Sequence, residues 1–292
     1  MTQTTARRPA LVALALMSLI WSFNWIVMKR ALHYIGPFDF SALRTLFGTA
    51  LLFLLLAFRG ESLAPTPLRP TLLIGLAQTG AFQLLVQMSL VDGGAGKMAL
   101  LAYTMPFWVV AFAWALLGEK PTLRHWLFIA LAAAGLALVM EPWHAVGGLR
   151  SCALALAGGA CWGLATVLTK RLFRRGTVSP LRLTAWQSLF GAVVVALVAL
   201  LVPERAIEWS SELIAAVAYN AVLGSAIAWA LWLFAVERLP AGVAGMASLA
   251  TPLLGVLLAW GLLGEVPDAY EAAGITLIAL ALGGVLRPRA TP

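Results

Sequence analysis

Charge is what this 292-residue sequence has least of. Asp, Glu, Lys and Arg make up 11% of it, against roughly 25% in a soluble domain. That shortage excludes an ordinary soluble globular protein, a disordered chain and a coiled coil. Acidic residues are scarcest of all inside the apolar runs: all twelve Asp and Glu can be placed in loops or at helix ends. Cysteine is limited to Cys152 and Cys161, whose spacing matches no metal motif and which read as small apolar filler. His33, His125 and His144 fall near expected helix ends, with no H-E-x-x-H, nucleophile elbow or cysteine–histidine set. A G-x-x-x-x-G-K-[ST] loop is also missing; Gly93-Gly94-Ala95-Gly96-Lys97 lacks its spacing and its hydroxyl. An ATP-driven pump in one chain is thereby excluded, and no cofactor or metal is expected.

Apolar residues fill the space that charge vacates, at 62% of the chain. A membrane-crossing helix needs about 20 of them in a row. Ten candidate spans follow, at 10–28, 38–58, 71–91, 97–117, 124–140, 149–169, 181–202, 212–235, 242–263 and 269–286. The first follows Arg7-Arg8 as a signal peptide would. It is too long for one, carries Trp21, Asn24 and Trp25, and reads as a retained span. The net charge of +8 is then a matter of orientation, not of nucleic-acid binding. Arg7, Arg8, Arg59, Arg69, Lys120, Arg124, Lys170, Arg171, Arg174, Arg175, Arg182, Arg238, Arg287 and Arg289 fall on the N-terminal side. Only Lys29, Arg30, Lys97, Arg150 and Arg205 fall opposite. This bias predicts an even number of spans with both termini in the cytoplasm.

The two halves resemble each other. Trp21 to Arg30 lines up with Trp162 to Arg171 at an offset of 141; Arg44 meets Gln187, and Pro106 meets Pro252. Leu-Leu-Gly118-Glu119-Lys-Pro121 matches Leu-Leu-Gly264-Glu265-Val-Pro267 at an offset of 146. Five spans per half is an odd number, so the second copy enters the membrane inverted. The expected fold is all-α and integral to the membrane. It has ten transmembrane helices in two inverted-topology repeats, 1–145 and 146–292. Inverted repeats place substrate sites near the midplane between halves and support alternating access.

With these residues in view, the sequence resembles the EamA-type drug/metabolite transporter superfamily. The resemblance rests on the Trp-x7-Lys end of each first span and the Leu-Leu-Gly-Glu that closes each fourth. It covers essentially the whole chain. It implies a ten-helix carrier of small metabolites in the bacterial inner membrane, similar to exporters of aromatic or neutral amino acids. The halves differ where Asn24 and Arg44 become Ala165 and Gln187.

Polar groups within lipid mark either a wet cavity or helix–helix glue. Trp21, Asn24, Trp25 and Met28 share one face of the first helix. They suit the polar head and side chain of an amino acid, or an interface belt with Asn24 as glue. Thr79, Gln83 and Gln87 form a polar stripe on the third span, as cavity lining or interhelical hydrogen bonds. Arg44 offers a bidentate partner for a carboxylate, or snorkels to the interface. Tyr103 and Thr104 before Pro106, and Ser248 and Thr251 before Pro252, place prolines where helix kinks would serve as gates. Trp162, Gln187, Tyr219 and Trp229 are the second-half candidates. Glu119 and Glu265 read as structural turn residues.

The expected function is export of small metabolites, amino acids first among them, by alternating access. With no acid or histidine inside a span, facilitated transport is expected over proton antiport. The expected partners are a small-molecule substrate and the bilayer, not nucleic acid, with a monomer or homodimer as the assembly. An exporter of another metabolite or drug class is the alternative. So is a membrane enzyme acting on lipid-linked substrates, although no nucleophile–base or metal cluster is visible.

Overall fold

The computed structural model describes residues 3–93, 95–140, 149–176, 178–255 and 269–286. They are helices and short connections, with no strand among the described residues. Helix α1 is Gln3–Ala31, α2 is Pro37–Phe58 and α3 is Leu68–Asp92. Next come α4, Ala95–Ala102, α5, Met105–Leu117, and α6, Leu123–Met140. In the second half α7 is Leu149–Arg175, α8 is Pro180–Leu201 and α9 is Ser211–Arg238. Helix α10 is Ala241–Ala247, resuming at 250–255, and α11 is Ala269–Leu286.

Six of these, α1, α2, α3, α7, α8 and α9, are long and apolar enough to cross a membrane. The runs Met105–Leu117, Leu123–Leu138, Ala241–Gly255 and Ala272–Ala281 are apolar but shorter. The outward faces are apolar: Phe58 is 86% exposed, and Leu127, Leu200 and Leu201 also face outward. The polar side chains Asn24, Arg44, Gln78, Gln83, Gln87, Gln187 and Asn220 are buried inside instead. That inversion suits lipid as the outer solvent, where polar groups must find partners within the protein.

Two departures from regular helix shape the interior. Helices α3 and α9 each widen into a π turn, at Leu76–Ala81 and Asn220–Ile227. Such turns shift the register of the residues that follow and concentrate at functional sites. The expected spans 97–117 and 242–263 are also not simply kinked at proline. Tyr103 and Thr104 form a turn and Pro106 opens a new helix at its first turn, where its missing N–H costs nothing. Ser248 and Leu249 make a matching turn before Pro252. In each turn a hydroxyl donates three residues back: Thr104 Oγ1 to Leu101 O and Ser248 Oγ to Gly245 O, both 2.7 Å.

Helices α2 and α8 run side by side, and each crosses the π turn of the other half's third helix. Gly48 of α2 lies against Ser225; Gly191 of α8 lies against Thr79 and the Gly75 carbonyl. A Cβ at residue 191 would stand 2.2 Å from Thr79 Cβ, so glycine alone permits the approach. Helices α6 and α11 pair at Gly135, whose Cβ position is 2.7 Å from Gly274 O. The centre left between α1, α2, α3, α7 and α9 is where the polar and aromatic side chains collect.

Candidate substrate-binding cavity

Trp162 of α7 stands at that centre and is 1% exposed. Its ring meets Trp21 at 5.3 Å, Phe82 at 5.2 Å, Tyr103 at 5.4 Å, Trp229 at 5.8 Å and Trp232 at 5.4 Å. Most of these contacts are edge-to-face, the arrangement that aromatic quadrupoles favour. Trp21 and Trp229 close the ring at 4.8 Å. The Trp21 indole donates from Nε1 to the Gly224 carbonyl at 3.0 Å, within the π turn of α9. Trp162 Nε1 and Trp232 Nε1 have no acceptor.

Arg44 of α2 enters this aromatic enclosure from the side and is 2% exposed. Its Nη1 donates to Asn220 Oδ1 at 3.2 Å, and its Nη2 donates to Gln83 Oε1. Asn220 is held in turn by its Nδ2, which donates to Ala216 O at 3.1 Å. Arg44 Nε has no acceptor. No carboxylate pairs with this guanidinium among the described residues. A buried cation held only by neutral amides is short of a counter-charge. Asn24 Oδ1, also buried, has no donor.

Trp21, Asn24, Arg44, Phe82, Gln83, Tyr103, Trp162 and Trp229 line one cavity, together with Trp25, Met28, Val86 and Gly224, while Asn220 and Trp232 pack behind that lining. It holds about 30 Å³, room for a water or two at about 10–15 Å³ each. An amino-acid-sized cargo requires the walls to part. A second space of about 10 Å³ adjoins it across Gln83 and Trp229, lined by Thr45, Thr49, Thr79, Ser188 and Ser225. A larger recess of about 460 Å³ opens at the ends of α7 and α9 among Lys170, Phe173, Arg174, Ser179 and Glu237. Its polar groups are engaged internally: Lys170 on three carbonyls, Arg174 on Glu119, Ser179 on Glu61. The unpartnered polar groups lie in the deeper cavity instead.

A family model described as the EamA-like transporter family matches residues 8–141 and again residues 149–287. The chain belongs to the EamA-like transporter family. The uncharacterized transporter YoaV of Bacillus subtilis is 27% identical over 259 residues, 83% of this chain and 85% of that protein. The uncharacterized inner membrane transporter YedA of Escherichia coli K12 is 26% identical, covering 94% and 90%. A probable amino-acid metabolite efflux pump of Salmonella typhimurium is 25% identical, covering 94% and 93%. A solved crystal structure shares the fold, with a TM-score of 0.80 at 22% identity over 96% of this chain and 97% of the other. This EamA protein is therefore a multi-pass membrane transporter and not an enzyme.

Of the sequence candidates in this EamA protein, Trp21, Asn24, Trp25, Arg44, Gln83, Tyr103 and Trp162 come together around the one cavity. Thr79 and Gln187 lie beside it, joined by a bond from Thr79 Oγ1 to Gln187 Oε1 at 3.0 Å. Gln87 is buried with both side-chain polar atoms unpartnered. Tyr219 stands apart: its hydroxyl donates to Ile20 O at 2.7 Å and its ring packs on Phe23, tying α9 to α1. Ser248 sits in its turn, and Pro106 and Pro252 lie in the resumed helices. Glu119 follows Gly118, whose φ of 68° ends α5, and reaches across to Arg174. His144 and Glu265 lie outside the described residues. The sequence reading missed Asn220, Gly224, Phe82 and Val86. Asn220 carried a signal: it is an amide in an apolar run, the same test that singled out Gln83.

Proposed function

We propose that this EamA transporter is a ten-helix carrier built of two inverted five-helix halves, 1–145 and 146–292. In this reading it exports small metabolites that carry a carboxylate, aromatic or neutral amino acids first among them, by alternating access. It works in the bacterial inner membrane with both termini in the cytoplasm. Arg44 carries the reading: a buried guanidinium inside an aromatic enclosure, with amides for neighbours and Nε open. A carboxylate supplies the missing counter-charge, and the indole and phenyl walls suit an apolar side chain. The name of the Salmonella relative agrees with that class.

The repeat reading is supported by matched devices in the two halves. The family model matches twice. The π turns, the helix breaks at 103–104 and 248–249, and the close-packed Gly48 and Gly191 all recur at the sequence offset of the repeat. Facilitated transport is supported by the placement of acids, since every described Asp and Glu lies in a loop or near a helix end.

The test is counterflow of the proteinogenic amino acids on purified protein in liposomes. Saturable, stereoselective uptake that Arg44→Gln abolishes is the expected result, with no requirement for an imposed pH gradient. Uptake of none of them overturns the substrate class, and strict dependence on a pH gradient overturns the facilitated mode.

A further inference from the structure

Asn24 Oδ1 is a buried acceptor with no donor, and Asn24 lines the same cavity as Arg44, whose Nε also has no partner. A native interior rarely leaves such an atom unpaired without a ligand or water to meet it. Asn24 packs against Gly224. A Cβ built on Gly224 would lie 3.1 Å from Asn24 Oδ1 and 3.5 Å from Asn220 Oδ1. Two amide oxygens therefore lie near one another on the face of Gly224 that bears no side chain. Asn220 Oδ1 already accepts from Arg44 Nη1, but an amide oxygen has two lone pairs and can accept again. The indoles of Trp21 and Trp229 line the same cavity as Asn24 and offer π faces to a cation.

We propose that Asn24, with Gly224 and Asn220 on the π turn of α9, forms a subsite for a protonated amine and selects zwitterionic cargo over simple carboxylates. The proposal rests on the carboxylate reading of Arg44. Asn220 Oδ1 then stands between the two subsites, as the α-carbon of an amino acid stands between its carboxylate and its ammonium. Chemistry explains why the acceptor is an amide. An Asp at position 24 would pair with Arg44 and occupy both subsites with the protein's own groups. A neutral oxygen binds an ammonium and leaves the guanidinium free. The subsite is single, because the second-half counterpart of Asn24 is Ala165, fully buried and without a polar atom in its side chain.

The test uses two probes of one skeleton, phenylalanine and 3-phenylpropionate, in competition and counterflow assays on purified protein in liposomes. Wild type should prefer phenylalanine by about tenfold or more, the weight of a hydrogen bond to a charged group. Asn24→Leu removes the acceptor, and Gly224→Ala sets a methyl group against that acceptor. Each should weaken phenylalanine about tenfold more than it weakens 3-phenylpropionate. A defect of folding or of Arg44 would lower both probes together, and that outcome overturns the proposal. Equal handling of the two probes by wild type overturns it as well, while leaving the carboxylate reading intact. If wild type carries neither probe, the carboxylate reading falls and the subsite with it.

Discussion

Lys29 and Lys170 cap two different helices in the same way. Lys29 Nζ donates to Leu90 O at 2.6 Å and Gly93 O at 3.0 Å, at the C-terminal end of α3. Lys170 Nζ donates to Val236 O at 2.9 Å, Glu237 O at 3.0 Å and Leu239 O at 2.7 Å, at the end of α9. The last carbonyls of a helix have no partner within it and carry the negative end of its dipole. In both places the lysine that closes the first helix of a half fastens that half's third helix, which carries the π turn. In the sequence these lysines read as orienting charges and as the matching ends of each half's first span.

Replacing either lysine by methionine should therefore destabilise the protein. The expected cost is about 1–3 kcal/mol each, read as a lower Tm in detergent. Arginine should rescue poorly, because its planar fork does not match carbonyls that surround an ammonium. An unchanged Tm in Lys170→Met would show that the three bonds are of little consequence.

Arg44 should behave in the opposite sense. Arg44→Gln should abolish saturable uptake yet leave Tm equal or higher, since a buried cation held by amides burdens the fold. Loss of transport and stability together would instead mark Arg44 as a structural residue.

The two glycine crossings should differ in how they can be rescued. Gly48→Ala puts a Cβ 2.7 Å from Ser225 Cβ and a milder 3.1 Å from Ala221 O, so Ser225→Gly should restore much of the lost stability. Gly191→Ala also meets the Gly75 carbonyl at 2.7 Å. Backbone cannot be trimmed, so Thr79→Gly should recover less of a loss of about 1–3 kcal/mol. Thermal melts of the four single and two double variants decide it.

Two glutamates latch the face where α2 begins. Glu204 Oε2 accepts from Phe38 N at 3.0 Å and Asp39 N at 2.9 Å, on the N-terminus of α2. Glu208 N donates to Tyr34 O at 2.8 Å, and Tyr34 OH donates to Glu212 Oε2 at 2.7 Å. The recess of about 460 Å³ opens elsewhere, around Lys170 and Ser179. Glu204→Ala should loosen the latch. A cysteine at Met28, with Cys152 and Cys161 replaced, should then react faster with a membrane-impermeant thiol reagent from the latched face. Equal rates would show that the latch does not control access. The bond to Glu212 raises the Tyr34 pKa above its ordinary 10. The phenol therefore keeps its proton at neutral pH, and this part of the latch is lost only as pH rises through that raised value.

The membrane class and the six long apolar helices were legible because hydrophobic runs are local. The shared face of Trp21, Asn24, Trp25 and Met28 followed from helical spacing, and all four line the cavity. The polar stripe of Thr79, Gln83 and Gln87 was only half legible. The π turn at Leu76–Ala81 breaks its spacing, so Gln83 lines the main cavity while Thr79 bonds Gln187 in the adjoining space. Tyr219 had the chemistry of a site residue but uses its hydroxyl to hold α1.

The sequence by itself determined what this protein dissolves in, because 11% charge and repeated apolar runs of membrane length leave lipid as the only suitable solvent. It also determined that Arg44 would be costly wherever it lay within a span. Only the tertiary structure decided what Arg44 meets. Its partners Gln83 and Asn220 lie 39 and 176 positions away, and no spacing along one helix relates such residues. The close crossing of α2 over the π turn of α9 brings Asn220 to Arg44, because glycine at 48 lets the two backbones approach, and the packing of α3 on α2 brings Gln83.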